Sequence, residues 1–215
     1  MELKTHPRKS REIIFMSLAI IAICLTAYAD KSHAQVIFKS DSRHNTLWKS
    51  IYSRMPGVWK TNKRVSVREV ADDTMNALTE KYVGLDSRSA DFIVDGLYLK
   101  ADVEEGIPAR IFLSETLQGE SAGLVFVHEY GHFVWHSILS NSQRNRFRRL
   151  WREQSVQGIL VTDYAGVSVE EGFAEAFSFF IRRPETLRYQ DFRSLMFLED
   201  LQSERETLLT FSRNR

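Results

Sequence analysis

Residues 124–135 read Leu-Val-Phe-Val-His-Glu-Tyr-Gly-His-Phe-Val-Trp, which places a His-Glu-x-x-His pattern inside an otherwise apolar run. Side chains four residues apart share one face of an α-helix and lie about 6 Å from each other, so His128 and His132 can direct their imidazoles at one metal ion. Glu129 follows the first histidine directly, which places its carboxylate beside the open position of the metal, where a general base is needed. The pattern predicts a helix that carries a metal site.

The apolar surroundings of this motif strengthen the interpretation. Positions 124–127 and 133–135 carry no charge, so we expect the helix to lie in a core. An unpaired polar group there costs about 1–3 kcal/mol, and a bound metal ion would compensate the buried imidazoles and carboxylate. This arrangement is typical of zinc hydrolases. The alternative is a solvated helix with incidental histidines.

His136 continues the four-residue spacing of the two histidines. Eight residues with a rise of about 1.5 Å each separate His128 from His136 by about 12 Å along the helix axis. Zinc–nitrogen bonds measure only about 2.0–2.1 Å, so the three histidines cannot all bind one ion. We expect His136 to be partly exposed or hydrogen-bonded, and a third protein ligand to come from elsewhere.

The first 29 residues read as a secretory signal peptide. Basic residues between positions 4 and 11 precede the uncharged run 13–29, which ends in the small-x-small pattern of Ala27 and Ala29. A second candidate cleavage position follows Ala34. We therefore predict a secreted or extracytoplasmic domain over residues 30–215.

Two alternatives for the same segment stay open. A run of about 17 apolar residues reaches the lower limit for crossing a bilayer, so an uncleaved membrane anchor is the first alternative. Lipid attachment at Cys24 is the second, because residues 21–24 resemble a lipoprotein box, although Ile23 occupies a position where a small residue is expected.

Composition excludes several classes of site and partner. The chain has 215 residues, 43% hydrophobic and 27% charged, which suits one globular domain. Cys24 is the only cysteine, and cleavage after Ala29 would remove it, which excludes disulfides, thiol catalysis and cysteine-ligated zinc. The chain carries 29 basic and 28 acidic residues. Four of the basic and two of the acidic residues lie in the predicted signal peptide, so the remainder has a net charge near −1. We expect a monomer with no nucleic-acid partner, and membrane contact only if the N-terminal segment is uncleaved.

Several elements are predicted before the motif. A short helix over 45–55 ends at Pro56 and Gly57, and a capping box at 66–69 opens a helix that runs toward Tyr82 and ends at Gly84. Strands are predicted over 90–99 and 107–113, with turn residues between them. Pro108 marks the second strand as an edge strand, which could hold an extended peptide by strand addition.

Three helical stretches are predicted after the motif. Asn141 and Ser142 cap a helix with an apolar stripe formed by Phe147, Leu150 and Trp151. Its five arginines form a solvated face or, alternatively, bind an acidic partner; they are Arg144, Arg146, Arg148, Arg149 and Arg152. An amphipathic helix over 168–181 follows a turn at 163–166, and 184–215 is helical. Seven apolar residues of this tail are expected in the core, namely Leu187, Phe192, Leu195, Met196, Leu198, Leu201 and Leu208.

Glu171 and Glu175 share one face of the amphipathic helix, among phenylalanines and alanines. Glu171 has a purely structural alternative as the capping-box partner of Ser168, and Glu175 has one as a solvated charge. The residues alone leave both alternatives open.

The arrangement of motifs resembles the catalytic domain of anthrax toxin lethal factor and its relatives, in the gluzincin group of metallopeptidases. The similar stretches are His-Glu-Tyr-Gly-His at 128–132, then Tyr164, then Glu-Gly-Phe-Ala-Glu-Ala-Phe at 171–177. The resemblance is clearest over residues 107–181. Tyr130 and Gly172 stand where the family has phenylalanines, and neither departure changes ligand chemistry.

The resemblance implies a role for each matching residue. It makes His128, His132 and Glu171 the ligands of one Zn²⁺, Glu129 the general base and Tyr164 the stabiliser of the transition state. Two histidines and one glutamate would leave a tetrahedral zinc ion one open position for water.

The chemistry of metal sites also suggests a role for Glu175. One turn beyond the ligand, it suits a hydrogen bond with the distal nitrogen of a ligating histidine, which we expect to be His128. We therefore expect an α+β fold of zincin-like type, with a small mixed or antiparallel sheet and a secreted zinc-dependent endopeptidase activity on a peptide or protein substrate. Zinc-dependent hydrolysis of a non-peptide amide and a non-catalytic zinc-binding module are the alternatives.

Overall fold

The fold is α+β, as predicted, with seven α-helices and one four-stranded mixed sheet among the described residues. A computed structural model describes residues 36–39, 43–84 and 94–213, and these belong to one compact unit. The predicted signal peptide and both of its cleavage positions lie outside this described part. No described helix has the length and apolar character needed to cross a bilayer.

The sheet has the strand order β1-β2-β4-β3. Its strands are β1 (Val36–Phe38), β2 (Val65–Val70), β3 (Gly96–Leu99) and β4 (Ala109–Ser114). The first, second and fourth strands are parallel, and β3 runs antiparallel to β4. In the register, Ile111 of β4 lies between Val67 of β2 and Tyr98 of β3.

The helices surround this sheet and each other. They are α1 (Asn45–Arg54), α2 (Asp72–Val83), α3 (Gly119–Ser137), α4 (Asn141–Gln157), α5 (Val169–Arg182), α6 (Pro184–Gln190) and α7 (Phe192–Arg213). Short 3₁₀ turns lie at Gly57–Trp59 and Tyr164–Gly166. Helix α3, which carries the His-Glu-x-x-His motif, is buried along most of its length.

The predicted capping box at 66–69 is wrong, because these residues belong to strand β2. Val65 and Val67 are buried in the core while Ser66 and Arg68 are more exposed, so the apolar residues alternate with a period of two. β-Branched residues at alternate positions fit a strand against a core better than a helix start. The helix begins at Asp72 instead, and its predicted end at Gly84 is confirmed by a left-handed φ of 75°.

Strand β4 is central, so the prediction of an edge strand at 107–113 is also wrong. Pro108 precedes the first residue of the strand, where its missing N–H removes no bond from the ladder. Ile111 and Phe112 point to opposite faces and both are buried, which shows that both faces of β4 are covered. The edge strand on this side of the sheet is β3.

Helices α3 and α5 pack closely, and this contact positions the site. A Cβ atom added at Gly131 would lie 2.9 Å from the Cα of Ala174, so a glycine is needed where the backbones approach. The predicted apolar stripe of α4 does pack on the core through Phe147, Leu150 and Trp151.

Two details of the later helices differ from expectation. Helix α4 is capped by Ser140, one residue before the predicted caps Asn141 and Ser142, because the Ser140 hydroxyl accepts the Gln143 N–H in a capping box. In the tail, Phe192, Met196 and Leu208 are 41–64% exposed, whereas the other four predicted core residues are buried. Phe192 and Met196 lie on the outward face of α7, and Leu208 follows its last buried residue, Leu201.

Candidate metal centre

Helices α3 and α5 bring the three predicted ligands together. His128 and His132 lie one turn apart on α3, and Glu171 lies in the first turn of α5. The Ser168 hydroxyl accepts the backbone N–H of Glu171 at 3.1 Å and so caps α5. The Glu171 carboxylate does not complete a capping box with Ser168 but reaches both histidines.

The three donor atoms form a nearly equilateral triangle. His128 Nε2 lies 3.1 Å from Glu171 Oε2 and 3.2 Å from His132 Nε2, and the remaining side, from His132 Nε2 to Glu171 Oε2, is 3.3 Å. Donors at about 2.0–2.1 Å from one tetrahedral ion would be about 3.3–3.4 Å apart. The spacing and the donor chemistry both fit, so this group can hold a metal ion.

Glu175 lies behind the triangle, next to the ring nitrogen of His128 that does not face it. Its Oε1 atom lies 2.8 Å from Nδ1 of His128, and its Oε2 atom accepts a hydrogen bond from the Thr162 hydroxyl at 2.7 Å. When Nδ1 carries the proton of a neutral imidazole, the lone pair of Nε2 is available to bind a metal ion at the triangle.

The electrostatics of the group favour positive charge. Burial by itself lowers the pKa of His128, but hydrogen bonds with Glu171 and Glu175 outweigh it and raise the pKa to about 10. Burial by itself raises the pKa of the Glu171 carboxyl, but the hydrogen bonds with His128 and His132 hold it well below its usual range. The same environment that retains a proton on His128 would attract a divalent cation.

The Glu129 carboxylate lies against strand β3. Its carboxylate accepts the backbone N–H of Tyr98, and a Cβ atom added at Gly96 would lie 2.5 Å from its Oε1 atom. Gly96 therefore provides the space that the carboxylate occupies. Burial raises the pKa of Glu129, and the neighbouring imidazoles of His128 and His132 oppose this.

A cavity of about 310 Å³ lies over these residues. Glu129 and the three ligand candidates line it, together with β3 and the Thr79 and Val83 side chains of α2. A general base and a metal group can therefore act on the same bound molecule.

Tyr164 stands at the opening of this cavity. It lies in the 3₁₀ turn before α5, 53% exposed, with its ring centroid 5.9 Å from that of His128. Burial, followed by the negative charges of Glu171 and Glu129, raises the pKa of its hydroxyl. The hydroxyl therefore stays protonated at neutral pH and can donate a hydrogen bond.

His136 lies outside the donor group, as the spacing predicted. Its Nε2 atom is 2.9 Å from Oε2 of Glu170, and its ring lies parallel to that of Tyr98 with centroids 5.7 Å apart. The expectation that His136 is hydrogen-bonded is confirmed.

Sequence reasoning missed several residues that shape the site. Gly96 and Tyr98 contact the candidate base Glu129, Thr162 contacts Glu175, and Trp151 contacts the Tyr164 turn. These contacts bridge 13 to 33 positions along the chain, and no motif marks them. No protein-family model and no curated protein matches the chain in sequence.

Proposed function

We propose that the protein is a zinc-dependent endopeptidase of the zincin type. The observation that carries this proposal is the convergence of the three donors of His128, His132 and Glu171, with the Glu129 carboxylate lining the same cavity. Two nitrogens and one carboxylate oxygen are the donor set of many catalytic zinc sites, which keep one position open. When bound, zinc lowers the pKa of a water molecule toward 7 and polarises the carbonyl that is attacked.

The protein's own residues supply the proton transfers and the hydrogen bonds. Glu129 accepts a proton from the attacking water and delivers it to the leaving amine, and its raised pKa suits both steps. The protonated hydroxyl of Tyr164 donates a hydrogen bond to the oxyanion that develops on the substrate.

Strand β3 favours a peptide over a small amide as substrate. Its edge opposite β4 is not paired with another described strand, and Gly96, Leu97 and Tyr98 line the cavity. The Tyr98 N–H is donated to Glu129, but an extended peptide can form backbone hydrogen bonds with the other polar groups of such an edge. With the signal peptide predicted for residues 1–29, we place this activity outside the cytoplasm.

Replacing Glu129 by Gln tests the mechanism. This change keeps the size of the side chain but removes its basicity, so we expect zinc content and fold to be unchanged and kcat on a peptide library to fall about 10²–10⁴-fold. Glu120→Gln is the matched control, since Glu120 lies at the start of the same helix and pairs with Arg183 on the surface. Wild-type turnover in Glu129→Gln would contradict the proposed base.

Substrate panels and elemental analysis separate the alternatives. Turnover of non-peptide amides without turnover of any peptide would favour the amide hydrolase, and bound zinc with no turnover at all would favour a zinc-binding module. A purified protein that contains no zinc and takes up none on titration would contradict the proposal.

A further inference from the structure

Tyr164 is more than half exposed and its hydroxyl is hydrogen-bonded to Glu171, while the residue that follows it is buried and held by further hydrogen bonds. Ala165 is 1% exposed, and side chains bind both of its backbone polar groups. The Thr162 hydroxyl accepts its N–H at 3.1 Å, and the indole N–H of Trp151 donates to its carbonyl at 2.8 Å. The two peptide groups that flank Ala165, directly after Tyr164, are thereby anchored.

Gly172 makes the indole contact possible. A Cβ atom added there would lie 2.5 Å from Cδ1 of Trp151, 2.6 Å from its Nε1 atom and 2.9 Å from the Ala165 oxygen. Any side chain at this position would therefore separate the indole from the carbonyl.

Thr162 extends the anchor to the metal group. Besides accepting the Ala165 N–H, its hydroxyl donates to Oε2 of Glu175 at 2.7 Å, and Oε1 of Glu175 lies 2.8 Å from Nδ1 of His128. One hydroxyl therefore connects the Tyr164 turn to a candidate ligand.

We propose that Trp151 and Thr162 are positioning residues for the reaction. Trp151 binds the Ala165 carbonyl and so holds the Tyr164 hydroxyl over the cavity. Thr162 binds the Ala165 N–H and so helps to position Tyr164. Through Glu175, Thr162 also helps to orient the His128 ring. This inference depends on the proposed function for its effect on turnover, but its effects on zinc binding and on the Ala165 amide do not need turnover.

A double-mutant cycle tests the role of Trp151. Trp151→Phe keeps the aromatic ring but removes the N–H, so we expect kcat to fall about tenfold to a hundredfold with KM nearly unchanged, as for a small misplacement of a catalytic group. In a Tyr164→Phe background, itself about 10²–10³-fold slower, the same change should lower kcat less than about twofold, because the hydroxyl that Trp151 positions is gone. Equal losses in both backgrounds, or no loss from Tyr164→Phe alone, would overturn the role of Trp151.

Trp48→Phe is the matched control for this cycle. Its indole N–H also donates to a backbone carbonyl, that of Ala122, at 3.1 Å, but it has no contact with the Tyr164 turn. We expect this variant to be less stable but to keep the kcat of the wild type. If Trp48→Phe lowers kcat as much as Trp151→Phe does, the loss reflects general destabilisation and the proposal fails.

Thr162→Val and Thr162→Ser test the connection to the metal group. The valine variant has nearly the same shape without the hydroxyl, and we expect it to bind zinc about tenfold more weakly and to lose protection of the Ala165 amide from hydrogen exchange. The serine variant should restore both. A valine variant with wild-type zinc affinity and amide protection would overturn the role of Thr162, and since neither readout needs turnover, that failure is distinct from failure of the peptidase proposal.

Discussion

Among the histidine–glutamate pairs that connect helices α3 and α5, His128–Glu175 and His136–Glu170 have similar geometry but different surroundings. His128 Nδ1 lies 2.8 Å from Glu175, and His136 Nε2 lies 2.9 Å from Glu170, so the pairs themselves are nearly identical. The other nitrogen of His128 faces the Glu171 carboxylate and the His132 imidazole at 3.1 and 3.2 Å. A buried histidine–glutamate pair therefore indicates a metal site only where the second ring nitrogen meets further donors.

The charge environments of the two histidines differ in the same way. Hydrogen bonds with two carboxylates outweigh burial and raise the pKa of His128 to about 10. The pKa of His136 is lowered, first by burial and also by Lys100, against the opposing effect of Glu170. At neutral pH the carboxylates around His128 therefore favour positive charge, whereas the lowered pKa of His136 favours a neutral imidazole against the ring of Tyr98.

The sharpest test of this comparison uses two adjacent residues. Glu171→Ala removes a donor of the proposed site, so we expect the affinity for zinc to fall more than about 100-fold, beyond the usual effect of changing a residue that only contacts a ligand. Glu170→Ala removes the carboxylate of the other pair and should leave the affinity unchanged. Titration against a competing chelator measures both affinities. The reverse result would show that Glu170, and not Glu171, is the ligand.

Zinc affinity should also depend steeply on pH. With a pKa of about 10 in the metal-free protein, His128 holds a proton at neutral pH, and that proton must leave when the ring binds zinc. Affinity is therefore expected to rise with pH, by about tenfold per unit below pH 10, or about 100-fold between pH 6 and pH 8. Calorimetry in buffers of different ionisation enthalpy counts the released protons, and binding that releases none over this range would contradict the expected protonation of His128.

Removing the carboxylate behind His128 should have a smaller effect than removing a ligand. Glu175→Ala leaves Nδ1 of His128 without its acceptor, and we expect zinc to bind about 10–100-fold more weakly. Glu170→Ala again serves as the control, because it removes the equivalent acceptor of His136. Equal zinc affinities in the two variants would show that the Glu175 contact does not orient the ligand.

The smallest expected effect concerns the His136 pair. The Glu170 side chain is 38% exposed, so its hydrogen bond with His136 is partly screened by solvent. We expect Glu170→Ala to lower the free energy of unfolding by at most about 1 kcal/mol, with zinc content unchanged. Urea denaturation of the zinc-loaded protein measures this, and a much larger loss would mean that the pair supports the α3–α5 contact itself.

The sequence predicted much of the helical part of the fold. The predictions of α1, of α5 and of the end of α2 at Gly84 are confirmed. They rest on helix caps and apolar periodicity, which act within a few residues. The errors arose where a short-range signal competed with the sheet. Ser66 and Glu69 have the spacing of a capping box, but the parallel pairing of β2 with β1 and β4 determines their conformation.

The place of β4 in the sheet was likewise not predictable from Pro108. A proline restricts only the hydrogen bond of its own position, and strand order depends on which distant segments pair. The residues that anchor Tyr164 show the same limit, since the contact of Trp151 with Ala165 needs the packing of α4 against the start of α5.

What the sequence by itself determined is the placement of His128 and His132 on one helical face with Glu129 beside them, because four-residue spacing on a helix is set by local backbone geometry. The family resemblance pointed to Glu171, but only the tertiary structure shows which glutamate of α5 lies against both histidines. Glu170, Glu171 and Glu175 all lie within six residues on one helix. Helices α3 and α5 pack closely at Gly131 and Ala174. In this packing Glu171 faces Nε2 of His128, Glu175 faces Nδ1 of His128, and Glu170 faces Nε2 of His136.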